Sequence, residues 1–113
     1  MSQPTPLPGR PVRGSRSGRP VMALLDLLGR RWTLRLLWEL RAGPVRTFRE
    51  LQERCGDVSS SVLADRLREL GDAGVTERTE TGYGLTDAGV DLLARLGPLE
   101  DWASRWASAR PER

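Results

Sequence analysis

Three helical stretches, a fourth amphipathic helix reached through a tight Gly-containing turn, and a short β-hairpin followed by one long closing helix succeed one another along the 113 residues. That order predicts a mainly α fold with a small β-hairpin, a winged helix-turn-helix. The two helices of the motif fall at 46–56 and 59–73, and the hairpin beyond them forms the wing.

Residues 1–20 are rich in Pro, Gly, Ser and Arg, carry almost nothing to bury, and are expected to be disordered alone. Two readings of this leader stay open: a solvated extension, or a basic arm that settles on phosphates or in a minor groove. Two Gly-Arg-Pro tripeptides, at 9–11 and 18–20, are similar to AT-hook cores. The folded domain is expected at 21–110. Residues 21–29 form a short helix, apolar nearly all round and stopped by Gly29. Residues 32–43 form a second, with Trp32, Leu36, Leu37 and Leu40 inward and Gly43-Pro44 ending it. Thr47 caps the third helix, and Glu50 three residues on completes a capping box. Asp57-Val58 makes the turn and Ser59 caps the fourth helix. Strands at 75–79 and 83–85 join across Glu80, Thr81 and Gly82. Thr86 caps a final helix running to about residue 109, which Gly97-Pro98 is expected to interrupt and bend.

The fourth helix carries the functional argument. At 100° per residue, Leu63, Leu67 and Leu70 fall together as a buried stripe, while Ser61, Asp65 and Arg68 fall opposite with Ala64 beside them. A helix that reads DNA needs this division: its core face fixes its angle, and small residues on its outer face let the backbone approach a major groove. Ser59, Ser60 and Ser61 at its start suit phosphate contact, Arg68 suits guanine, and Asp65 can accept from cytosine N4. The plainer alternative is a solvated helix carrying the pairs Asp65–Arg68 and Arg66–Glu69. Arg46, Thr47 and Arg49 open the helix that crosses the backbone in this motif and are candidate phosphate clamps, with Arg66 on the flank as an ion pair or phosphate contact. Arg78 and Tyr83 belong to the wing, whose positive charge Glu77 and Glu80 dilute.

Composition removes other chemistries. All 18 basic residues are Arg, so a P-loop lacks its lysine, and with no His there is neither an imidazole base nor a His metal ligand. The three consecutive serines therefore have no His or Lys to activate them, and Glu100-Asp101, adjacent on a helix, do not face one site. No enzyme, metal or cofactor is expected. The single Cys55 cannot form an internal disulfide and reads as a small buried apolar residue rather than a sensor. No apolar run approaches the roughly 20 residues of a membrane span, and the start lacks a signal peptide's apolar core. A cytoplasmic, nucleoid-associated protein with no membrane partner is expected. The net charge of +3 is asymmetric: residues 1–20 carry four Arg and no acid, whereas the remainder carries 14 Arg against 15 acids.

In the segments LLDLLGRRWTLRLLWEL, GPVRTFRELQER, VSSSVLADRLRELGDAGV and YGLTDAG the chain resembles the HxlR-type transcriptional regulators, over about residues 20–106. The resemblance rests on the Gly-basic-basic-Trp step at 29–32, the Gly-Pro followed by Phe-x-Glu-Leu at 43–51, and the Arg-Leu-x-x-Leu at 66–70. It implies a bacterial, dimeric winged-helix regulator of neighbouring operons whose dimer is built from the first and last helices. This wing is shorter than is usual in the family, and Gly18 stands where redox-sensing members carry a cysteine.

The residues themselves also favour a dimer. Leu92, Leu96, Leu99 and Trp106 run along the last helix with Trp102 on the edge of the stripe, and Leu24 and Leu28 lie on the first helix, more apolar surface than so small a domain covers alone. The four Trp read as core and interface packing, with a small-molecule effector pocket between subunits as the alternative. The function expected is a sequence-specific regulator, a repressor, binding double-stranded DNA at a near-palindromic operator as a homodimer. The alternative is a winged-helix protein-interaction module whose nucleic-acid binding is non-specific and driven by the arm.

Overall fold

The computed structural model describes residues 4–110. Its elements, in order, are α1 (Pro20–Leu28), α2 (Thr33–Leu40), α3 (Phe48–Arg54), α4 (Ser60–Asp72), β1 (Thr76–Thr79), β2 (Gly82–Leu85) and α5 (Asp87–Ala109). This is the winged helix-turn-helix that the element order predicts. The core gathers on α2, where Leu36, Leu37 and Leu40 are fully buried, and Leu51, Leu63, Leu70, Val45 and Val58 close around them.

Local chemistry sets the boundaries. Pro20 opens α1 at a position where its missing N–H costs nothing. Trp32 packs inward, but ahead of the second helix rather than within it. It is the N-cap of α2 in a left-handed conformation, φ 75°, half-buried against the core. Thr47 Oγ1 accepts from Glu50 N at 3.0 Å, but Glu50 turns its carboxylate to Arg54 at 2.7 Å, so only half of the expected capping box forms. Ser59 Oγ accepts from Val62 N, and Thr86 Oγ1 from Gly89 N, as the caps of α4 and α5.

The hairpin pairs Thr76 with Leu85 and Thr79 with Gly82, so Glu80 and Thr81 alone make its turn. A third segment joins it. Val45 and Tyr83 exchange two backbone hydrogen bonds of 2.8 Å, which fastens the wing to the α2–α3 connection. Gly82 lies at φ 121°, and a side chain there would run into the Val45 carbonyl oxygen. The expected break at Gly97-Pro98 is absent: α5 continues through Pro98. Ala94, whose carbonyl the proline ring deprives of its donor, is exposed, so water can take that donor's place.

The leader does find something to bury. From Pro4 onward it folds back on itself, with Gly9 N donating to Gly18 O and a bridge between Val12 and Ser15. Thr5, only 4% exposed, packs at the end of α4. Residues 1–3, which belong to the segment expected to be disordered, lie outside the described residues.

Candidate nucleic-acid interface

The turn between α3 and α4 is made by two consecutive left-handed residues, Gly56 at φ 80° and Asp57 at φ 59°. Gln52 holds it from the side: its Nε2 donates to Val58 O at 2.8 Å and to Ser60 Oγ at 3.2 Å. Leu63 and Leu70 anchor α4 in the core, with Leu67 half-buried beside them. The opposite side is open. Ser59, Ser60, Ser61 and Ala64 are exposed, and Asp65 is half-buried. The serines therefore stand at a helix N-terminus whose leading N–H groups face outward, an arrangement suited to phosphate.

The rest of the helix is more heavily engaged. Glu69, expected on a solvated face, is 2% exposed and sits between two guanidiniums, Arg30 Nη1 at 2.5 Å and Arg66 Nη1 at 2.6 Å. Arg66 is thereby committed to an internal ion pair. Arg68 is partly open, at 42% side-chain exposure, and pairs with Asp72 at 3.6 Å, one turn along. The leader reaches this group, because Thr5 Oγ1 donates to Asp72 Oδ2 at 2.8 Å and lies 3.4 Å from Arg68 Nη1. Arg10 Nη2 and Arg30 Nη2 hold that turn of the leader through the carbonyls of Thr5 and Pro4. Arg30, Gln52 and Thr5 escaped sequence reasoning. Only the spacing of Gln52, seven residues ahead of a serine N-cap, offered a local signal.

At the α3 end, Arg46 and Thr47 are exposed, and Arg49 is exposed while paired with Glu53 at 3.2 Å. On the wing, Arg78 lies over the Tyr83 ring at 5.1 Å, and Tyr83 meets Phe48 edge-on at 6.4 Å. Tyr83 thus braces the wing against α3, and its ring carries Arg78 outward. Exposed basic and hydroxyl groups from α3, α4 and the wing lie on parts of the molecule that their shared core locks together.

The candidate dimer residues divide. Leu28 is buried in its own core, and Leu24, Leu92 and Leu96 are half-buried. Leu99, Trp102 and Trp106 are exposed, the two indoles stacked at 5.9 Å, and residues 97–110 are exposed throughout. On α1 it is Val21 and Leu25 that face outward. Trp38 is also exposed, covered by Arg41 at 3.6 Å.

Cys55 is buried, and burial pushes its thiol pKa up; Glu39 adds to that and Arg35 opposes it. A thiol so placed is a poor nucleophile. Among the described residues no cluster of three or more His, Cys, Asp or Glu could hold a metal ion, and no helix is long and apolar enough to cross a membrane.

Residues 27–111 match the family described as HxlR-like helix-turn-helix. The helix-turn-helix-type transcriptional regulator YvaP of Bacillus subtilis is 34% identical over 89 residues, which cover 73% of this chain and 82% of that protein. YodB of the same organism, another helix-turn-helix-type transcriptional regulator, is 33% identical over 88 residues, covering 72% and 78%. Among solved structures, the reduced form of YodB superimposes with a TM-score of 0.71 at 31% identity, covering 81% of this chain and 97% of that one. A possible HxlR family transcriptional factor from Thermoplasma volcanium does so at 0.65 and 30%, covering 79% and 85%. These relatives are regulators and not enzymes, and with the helix-turn-helix geometry above they place the chain: it belongs to the HxlR-like family of DNA-binding, winged helix-turn-helix transcriptional regulators.

Proposed function

We propose that this regulator binds a near-palindromic operator as a homodimer and represses by occluding the promoter, as a cytoplasmic, nucleoid-associated protein. One observation carries the reading: α4 is pinned by Leu63 and Leu70 while Ser59, Ser60, Ser61 and Ala64 stand open on its other side. The serine end meets phosphate and the rim of the groove, Asp65 and Arg68 reach base edges, and Arg46, Thr47 and Arg49 clamp the backbone. Arg78, carried on Tyr83, touches the flanking phosphates. Arg66 serves from inside, through Glu69, by fixing the pitch of the helix. The dimer forms through α5 and the outward face of α1. Val21, Leu25, Leu99, Trp102 and Trp106 support this as large apolar side chains left in water. Two-fold symmetry then sets the recognition helices about 34 Å apart, one DNA turn.

Selecting bound fragments from the source genome tests the whole reading. The expected outcome is a small set of promoter sites whose inverted half-sites have centres about 10 bp apart. Recovery of fragments with no shared sequence would defeat it.

A second reading draws on the pairing of Arg68 with Asp72, which leaves the outer face of α4 little net charge. On that reading the helices dock a protein, and nucleic-acid affinity comes from Arg10, Arg13, Arg16 and Arg19. Removing residues 1–20 separates the two. A specific reader keeps its site preference, whereas an arm-driven binder loses nearly all salt-dependent affinity.

A further inference from the structure

Between the leader, α1 and α4 lies a cleft of about 400 Å³, away from the serine side of α4 proposed to meet DNA. The geometry points to this cleft as a binding site for a small organic anion, one carboxylate or phosphate on an apolar body, with Arg13 and Arg31 holding the charged end and Met22 and Leu25 receiving the rest.

Four guanidiniums line the cleft, those of Arg13, Arg30, Arg31 and Arg66, against one carboxylate, Asp26. Asp26 is already engaged, since its Oδ2 accepts from the backbone N of Arg13 at 3.1 Å. Arg30 and Arg66 are held from behind by the buried Glu69, so they need no ordering when an anion arrives. The Nε of Arg66 is sealed from solvent and has no hydrogen-bond acceptor among the described residues. A buried N–H without an acceptor ordinarily costs about 1–3 kcal/mol, so this nitrogen gains an acceptor from the cleft only if the Arg66 side chain shifts toward it. The apolar side is equally specific. Leu25 is exposed, and Gly14 crosses Met22 so closely that a β-carbon there would lie 2.6 Å from Met22 Cε. The volume falls in the range of about 300–1,000 Å³ usual for small-ligand sites.

Duplex phosphate is the rival source of such an anion. On α4, Arg66 lies five residues from Ser61, about 140° around the helix from the outward face. A groove-bound duplex meets the serine side, whereas this cleft opens on the other flank. An occupant would pull on Arg30 and Arg66, the two side chains that grip Glu69 under α4, and so would alter the seating of the recognition helix. That regulatory consequence rests on the proposed DNA reading; occupancy of the cleft does not.

The full-length protein is titrated calorimetrically, without DNA, with benzoate and with phenyl phosphate. Inorganic phosphate supplies charge without an apolar body, and benzamide an apolar body without charge. The expected result is saturable binding of at least one aryl anion, one per chain, tighter than both controls. Arg13→Gln and Arg31→Gln, at exposed positions, should each weaken it about tenfold, as the loss of one charge-assisted hydrogen bond does. Amide shifts of the wild-type protein should move at Gly14, Met22 and Gly29, a readout independent of any variant. No saturable binding below about 10 mM, equal binding of inorganic phosphate, or indifference to both substitutions would overturn the assignment. If the aryl anions fail while Arg13→Gln and Arg31→Gln each lower the salt dependence of duplex binding by about one ion, the cleft is a DNA phosphate site and the proposal is wrong. Failure of operator selection leaves these titrations untouched, because no duplex is present in them.

Discussion

The carboxylate of Glu69 touches Arg30, 39 residues away in sequence, and Arg66, one turn back on its own helix. Removing it leaves two mostly buried guanidiniums, 14% and 16% exposed, without their carboxylate, and breaking a buried pair from one side costs up to about 3–5 kcal/mol. Glu69→Ala is therefore expected to lose that much in urea unfolding, a large share of a small domain's stability. Arg68 differs, being half open and shared with Asp72 and Thr5. Arg68→Ala should unfold much as the wild type does yet cost about 1–3 kcal/mol at the selected operator, measured by titration against a scrambled site. Cys55 gives a pH dependence of known sign. Its pKa in the folded chain lies above that in the unfolded chain, chiefly through burial. In the window between the two values the unfolded chain binds fewer protons, so stability falls as pH rises. The contribution is whole below the unfolded-chain value and is lost as pH climbs through the folded one. Between pH 7 and pH 10 the urea midpoint of the wild type should fall further than that of Cys55→Ala, and the native thiol should resist alkylation.

Caps and stripes are local, and this is why the elements could be read before any coordinates. Thr47, Ser59 and Thr86 each bond the backbone N three residues on, and the leucines of α4 repeat with the helix turn. The serine face followed from the same repeat. What escaped reading is what depends on distant partners. Val45 joins the wing as a single bridging residue, which has no period to detect, and Thr5 meets Asp72 across 67 positions. Pro98 misled for the opposite reason: a local breaker is tolerated where the freed carbonyl reaches water. Attachment of the wing to Val45 gives a test at this scale. Gly82→Ala would place a methyl group against the Val45 carbonyl oxygen and Arg46 Cα, at a φ of 121° that side chains avoid. It should destabilise the protein by about 1–3 kcal/mol in thermal unfolding, whereas Gly43→Ala, with open space around its β-carbon position, bears only the strain of its φ.

At the scale of the molecule, α5 runs on past the body it springs from. Residues 97–110 are exposed, and Leu99, Trp102 and Trp106 present a ridge that the protomer leaves in water. Fully burying an exposed apolar side chain of this size is worth about 1.5–3 kcal/mol, of which these half-exposed ones have roughly half still to gain, and in the proposed dimer a second copy covers two ridges at once. Leu99→Asp together with Trp106→Asp should halve the mass seen by sedimentation at micromolar concentration and leave the helix content of the body intact. An unchanged mass would mean that α5 does not form the contact. In the proposed dimer, a rod that finds its neighbour on another chain also makes copy number a variable of the fold. Diluting the regulator should lower its melting temperature as surely as adding urea, so a cell that makes few molecules holds a different protein from one that makes many.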